Sequence, residues 1–203
     1  VGSSAASDVY KRQGLVRGLY LFPYVAPVIA VAFAWVILFD PFSGSINALL
    51  VQMGVVETPI NFFGQKPYAL IMVTVFEIWR YFPLSFLFIL ARMQAIDVEM
   101  YEAADMDGAS PFQIFWYLSL PTLMGILSIL FLLRFIWTFN KFDDIFLLTG
   151  GSANTRTLTV NVYEQAFAVS NIGAGSAVAV VIFIFLLFFS IFFFRYLNRE
   201  EGL

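Results

Sequence analysis

Residues 177–194 read AVAVVIFIFLLFFSIFFF, an unbroken apolar run closed by Arg195. About 20 such residues in helical conformation cross the roughly 30 Å hydrocarbon layer of a bilayer. Working back along the chain, three more stretches meet that requirement: about Leu19–Phe39, Tyr68–Leu90 and Thr122–Phe139. The last of these carries Arg134 inside it, and the first carries Pro23 and Pro27, which predict a kink near its start. Composition points the same way. Of 203 residues, 61% are hydrophobic and 12% charged, with a mean hydropathy of +0.85, whereas a soluble domain carries about a quarter charged and less than half apolar residues. Lipid is the solvent for much of this surface. The predicted fold is an all-α integral membrane protein with about four transmembrane helices.

The residue inventory removes several functions at once. Without Cys or His, the chain has no disulfide, thiol nucleophile, imidazole base or usual zinc or haem ligand. The net charge of −3 argues for no particular partner, and no basic run suggests nucleic acid. Gly150–Gly151 lacks the downstream Gly-Lys-Ser/Thr of a phosphate loop and reads as an external turn. Residues 1–13, VGSSAASDVYKRQ, are small and polar without periodicity; they read as a non-native or disordered leader, leaving 14–203 as the membrane domain.

Orientation follows from the basic residues. Lys11, Arg12, Arg17, Arg92, Arg195 and Arg199 fall on one side and Lys66, Lys141 and Arg156 on the other. The positive-inside rule then places both termini and the Arg92–Pro121 loop in the cytoplasm, with 40–67 and roughly 141–175 outside. Setting the leader aside reduces the bias to four against three, so the loop itself has to carry the argument.

That loop reads MYEAADMDGASPFQIFWYLSLP from Met100 to Pro121. Its local chemistry predicts two short helices with a break. Asp97 is placed to cap the first, with Glu99 in its first turn where the helix dipole favours acidic groups. Gly108 supplies a positive-φ stop. Ser110 and Pro111 form an N-cap and N1 pair for the second helix, and Pro121 marks the start of the next span.

The same loop closely resembles the EAA loop of binding-protein-dependent ABC importer permeases. Glu102, Ala103, Ala104, Asp107, Gly108, Ala109, Phe115, Leu118, Leu120 and Pro121 fall at the spacing of that pattern, with Leu118 in place of Ile as the departure. Upstream, FPYVAPVIAVAFAW resembles the third span of maltose-type sugar permeases. Downstream, FNKFDDIFLLTGGSANTRTLTVNVYEQAF resembles the segment after their fifth, through Phe139, Phe142, Asp143, Ile145, Thr149, Gly150, Gly151, Thr155 or Thr157, Tyr163 and Phe167. Members usually have six spans, so the resemblance implies a chain without the first two.

The resemblance also implies a mechanism and an assembly. The loop, 97–121, docks into a cleft on an ATPase subunit, with Glu102 facing a basic group and Ala103, Ala104 and Gly108 allowing close backbone approach. Asp107 caps the following turn or meets a basic group as well. Two permeases, the second a paralogue, two ATPases and an extracytoplasmic solute-binding protein are implied to make up the importer in the bacterial plasma (inner) membrane. ATP and magnesium stay in the ATPase subunits, and this chain binds no cofactor or metal and catalyses no reaction. The solute is a sugar, or alternatively a glycerol-phosphate-like compound.

Passage candidates come from polar and aromatic residues at the outer ends of spans. Asn140, Asp143 and Asp144 stand near Phe139, and Trp79, Arg80 and Tyr81 lie in the second span. Sugars are held by planar polar groups together with aromatic faces. The plainer reading makes these aromatics interfacial anchors. Glu77 and Arg80, three apart, share a helix face and either pair or contact solute; Arg134 either bonds a neighbouring helix or subunit or contacts solute. A secondary transporter calls for coupling residues and repeat symmetry, and it leaves the EAA loop unexplained, as does an anchor subunit. An intramembrane enzyme calls for a nucleophile–base set that is not visible.

Overall fold

The computed structural model describes residues 18 and 20–200, with side chains to Leu197; the leader 1–13 and the charges Lys11, Arg12 and Arg17 lie outside the described residues. Regular structure in the described chain is helical. Three helices are long and apolar enough to cross a membrane: Tyr68–Gln94, Pro111–Phe139 and Ile172–Leu197.

The first expected span is where the sequence reading needs correction. Helix α1 (20–25) stops at Ala26, and α2 (Val28–Leu38) starts afresh beyond Pro27. The proline has no N–H to continue the ladder, so the kink is a full break. The 11 residues of α2 cover about 16 Å, short of a complete crossing.

The chain divides into two compact units. One takes residues up to Pro83 and Asn140–Val180; the other takes Leu84–Phe139 and 181 onward. In the first, Val31 and Ala32 of α2, Val73 and Phe76 of α4 (Tyr68–Gln94), Ile145 and Leu148 of α8 (Asp143–Thr149) and Val160 of α9 (Leu158–Tyr163) form one buried cluster, with Trp35 and Trp79 packed against it. Above it, α3 (Ser45–Gln52) turns the loop back on itself through Asn47, which is almost wholly buried. The Asn47 amide donates to the carbonyls of Phe39, Asp40 and Ile60 at 3.2, 3.1 and 3.0 Å, and its oxygen accepts from the Ile60 N–H at 2.8 Å. One side chain thus stands in for absent secondary structure across thirteen residues of chain.

The second unit is organised by an aromatic ladder. Phe131, Phe135 and Phe139 on α7 (Leu120–Phe139) meet Phe193, Phe189 and Phe185 on α10 (Ile172–Glu200), with ring centroids 6.0, 4.0 and 4.9 Å apart. Spacing by four places each set on one helix face, and the reversed pairing order shows that these segments run antiparallel. Over 177–194 α10 is apolar on its other faces too, with Phe183, Phe188 and Phe192 more than 60% exposed, as a helix bathed in lipid must be.

Candidate functional site

The loop between α4 and α7 is built by its own capping residues. Helix α5 (Val98–Met106) has no buried residue, and Glu102, Ala103, Asp107 and Gly108 are exposed. Its C-terminus is a complete Schellman motif. Gly108 sits at φ +74°, its N–H bonds the Asp105 carbonyl at 3.0 Å, and the Ala109 N–H reaches back to Ala104 at 3.0 Å. Ser110 then caps α6 (Pro111–Ile114) in a reciprocal box with Gln113, while Pro111 occupies N1.

Two expectations about this loop fail. Asp97 stands at the N-cap with extended backbone, but its side chain makes no capping bond. Pro121 does not mark the start of a span: α6, a π-helical turn over Phe115–Ser119 and α7 run on as one apolar helix of 29 residues, Pro111–Phe139, with Pro121 inside it. The π turn explains how. Leu120 donates to Phe115, five residues back, so the ladder has already slipped where the proline lacks its donor. Thr122 Oγ1 donates to the Leu118 carbonyl at 2.7 Å. The Tyr101 hydroxyl, 3.2 Å from buried Ser119 Oγ, ties α5 to the base of the long helix.

A second polar site lies in the other unit, on one turn of α4. Arg80 is buried and donates through Nη1 to the Pro23 carbonyl at 3.2 Å and through Nη2 to the Ala26 carbonyl at 3.1 Å. These acceptors border the break, and the residue four beyond Pro23 is Pro27, which has no N–H to offer. Glu77 makes an ion pair with Lys141 at 3.8 Å, whereas the bonds of Arg80 go to backbone carbonyls. Lys141 Nζ is also 2.7 Å from Asp144 Oδ2, bonds the Tyr81 hydroxyl and lies 4.0 Å from the centre of the Tyr81 ring. Tyr81 in turn donates to Asp144 Oδ2 at 3.3 Å.

Burial works against the charge on Lys141, but its bonds to Asp144 and Tyr81 and the nearby carboxylates outweigh that and hold its pKa above 10.5. Burial likewise works to raise Asp144. Its hydrogen bond with Lys141, and the charges of Lys141 and Arg80, prevail and hold it below 3.8.

Of the passage candidates, Tyr81 and Asp144 share this cluster, with Arg80 beside it. Trp79 faces the apolar core, with its rings 5.5 Å from Trp35 and 6.2 Å from Phe76. Phe139 belongs to the aromatic ladder of the other unit, and Asn140 and Asp143 are exposed. Arg134 is half-buried on α7. Lys141 was missed as a site residue. Its signal in the sequence was a lone cation within four residues of Asp143 and Asp144, with Glu77 in the preceding span.

Fold and site together define a polytopic, all-α membrane protein with a capped, exposed helix in one inter-span loop. The chain belongs to the family described as the binding-protein-dependent transport system inner membrane component, whose model matches residues 1–201. It is 38% identical over 176 residues to the inner membrane ABC transporter permease protein YcjO of Escherichia coli K12, covering 86% of this chain and 59% of that protein. It is 32% identical over 186 residues to the trehalose/maltose transport system permease protein MalF of Thermococcus litoralis, covering 91% and 62%. The chain therefore spans about three fifths of the length of these relatives. The sn-glycerol-3-phosphate transport system permease protein UgpA of Agrobacterium fabrum is 29% identical over 202 residues, covering 98% and 68%. In fold, the chain resembles a bacterial alginate ABC transporter solved with an alginate pentasaccharide-bound periplasmic protein, at a TM-score of 0.82 and 18% identity, over 99% of this chain and 68% of that one.

Proposed function

We propose that this chain is a permease subunit of an ATP-driven sugar importer, lining part of the solute passage and receiving the ATPase stroke through the loop 97–121. The observation that carries this reading is the exposed α5 helix. Glu102, Ala103 and Ala104 of the EAA pattern lie on a short helix with no buried side chain, stopped by Gly108 and bonded through Tyr101 to the foot of a 29-residue apolar helix that carries Phe115, Leu118, Leu120 and Pro121. A partner that grips α5 would act directly on that long helix. ATP binding in the partner would then bias the permease between two states.

In this proposal the loop and both termini are cytoplasmic, and 40–67 and 141–175 face outward. The chain works with a second, paralogous permease, two ATPase subunits holding ATP and magnesium, and an extracytoplasmic solute-binding protein. It makes and breaks no covalent bond. Residues 14–203 form the membrane domain and 1–13 a leader. Glycerol-phosphate import is the second reading, favoured by the likeness to UgpA. The cations of the buried cluster weigh against it, because the Arg80 bonds go to backbone carbonyls and Lys141 is held by carboxylates.

The test is a detergent pull-down of the full-length native protein beside its Glu102→Lys and Gly108→Pro variants, assaying for ATPase activity. Wild type should retain an ATPase that both variants lose. If wild type retains none, or the three behave alike, the coupling role is refuted and a secondary transporter or anchor leads.

A further inference from the structure

The cluster around Lys141 has a geometry of its own, independent of which solute is carried. Glu77 and Tyr81 are one helical turn apart on α4, and Asp144 is in the first turn of α8. Lys141 lies three residues before Asp144, within reach of all three: 3.8 Å from Glu77, 2.7 Å from Asp144 and bonded to the Tyr81 hydroxyl. The Asp144 side chain is fully buried and those of Lys141 and Glu77 are 17% and 16% exposed. Arg80 is committed elsewhere, at the Pro27 break. The Lys141 backbone is anchored too, its carbonyl accepting from Thr159 Oγ1 near the start of α9.

We propose that Lys141 is a positioning residue, the shared counter-ion through which Glu77 and Asp144 clasp the outer helix α8 to the middle of α4. The ammonium is the hub. Removing it takes away the ammonium that lies within 4 Å of both carboxylates, and breaking a buried pair by deleting one partner costs far more than the intact pair contributes. Removing the carboxyls along with the cation leaves a neutral site whose packing is nearly unchanged. This asymmetry separates a clasp from an ordinary packing residue. A lysine that only filled space would be missed equally in both backgrounds.

The groups facing Lys141 also give the clasp a pH signature. They are Glu77 and Tyr81 from α4 and Asp144 from α8; next to them stand Arg80 on the same turn of α4 and Tyr24 of α1, whose ring meets Tyr81 at 6.1 Å. In a variant without Lys141, acid relieves the repulsion by protonating a carboxyl, so stability should rise as pH falls from 8 to 5. Wild type should stay flat over that interval.

The experiment compares thermal midpoints of the detergent-purified protein with Lys141→Met, Lys141→Arg and the triple variant Glu77→Gln/Lys141→Met/Asp144→Asn, at pH 5 and pH 8. The expected result at pH 8 is a midpoint lower by about 10 °C for Lys141→Met. Lys141→Arg should stay near wild type, the triple variant should recover at least half the loss, and Lys141→Met should recover partly at pH 5. If Lys141→Met yields no folded protein, folding of both the arginine and triple variants supports the clasp, and failure of the triple variant overturns it. The proposal is also overturned if Lys141→Met matches wild type, or if its deficit is the same at both pH values and is not relieved in the triple variant.

Discussion

Arg80→Met is the sharpest probe of how the chain tolerates a helix break among its spans. In the wild type two guanidinium donors reach the carbonyls of Pro23 and Ala26 at 3.2 and 3.1 Å. Pro23 lacks its ordinary partner because Pro27 occupies the donor position four residues on. Truncating Arg80 leaves both carbonyls unsatisfied in a largely apolar setting. A buried polar group stripped of its partner costs about 1–3 kcal/mol, so two cost about 2–6 kcal/mol. For a chain of this size, that is a thermal midpoint lower by roughly 4–24 °C. Tryptophan emission in detergent reports it directly, because Trp35 and Trp79 pack 5.5 Å apart in the same unit. The decisive comparison is Pro27→Ala in the Arg80→Met background, which gives Pro23 back an N–H. It should recover about 1–2 kcal/mol, read as a coupling in the double-mutant cycle. Arg80→Lys keeps the charge but not the fork that spans two acceptors, and should fall between. Strict additivity of Pro27→Ala and Arg80→Met would refute the idea that the arginine substitutes for the missing donor.

Two further predictions concern the loop 40–67. Asn47→Ala loses donors to three carbonyls and the acceptor for Ile60, and should lower stability by about 2–4 kcal/mol. Asn47→Asp should be at least as damaging, since it sets a carboxylate against those carbonyls; an Asp variant as stable as wild type by thermal melting would contradict this account. Asp40 is held below 3.8 by the backbone N–H groups of Ser43 and Phe42 and then by the Ser43 hydroxyl. A depressed carboxylate contributes above its unfolded pKa and loses that contribution as pH falls through the folded value. Amide protection at Phe42 and Ser43, corrected for intrinsic exchange rates, should therefore hold from pH 7 to 5 and collapse only below about 4; loss already at pH 5 would show that the turn does not depend on the carboxylate.

What could be read along the chain was what depends on neighbours in sequence. The run 177–194 has to be a helix in lipid because its apolar length leaves no other way to satisfy the backbone. The stop at Gly108 and the cap at Ser110 were legible because a Schellman turn and a capping box are built within a few residues. The ten-position EAA pattern was legible for the same reason. Local chemistry misled where a distant or cumulative effect prevailed. Asp97 had the right residue type and backbone for a cap yet makes no bond. Pro121 resembled a boundary because the π turn that absorbs it is not written in any one residue.

The partners of the charged residues belonged to the tertiary structure alone. Glu77 and Arg80 are neighbours on one helix, and sequence spacing pairs them. Yet the distances that matter run from residue 80 back to 23 and from 77 on to 141. Pro27 sets the first of these, since a broken ladder needs donors from another helix. The second arises because the turn into α8 and its first residues fold a lysine and an aspartate against α4, where burial makes any charge seek the nearest opposite one. Sequence alone determined where the long apolar helices lie, where the loop 97–121 turns and which family the chain resembles, but not the break before Pro27 or the run of one helix through Pro121. Only the packing of α1, α2, α4 and α8 decided which charges meet, because burial and distance, unlike propensity, are properties of the folded chain.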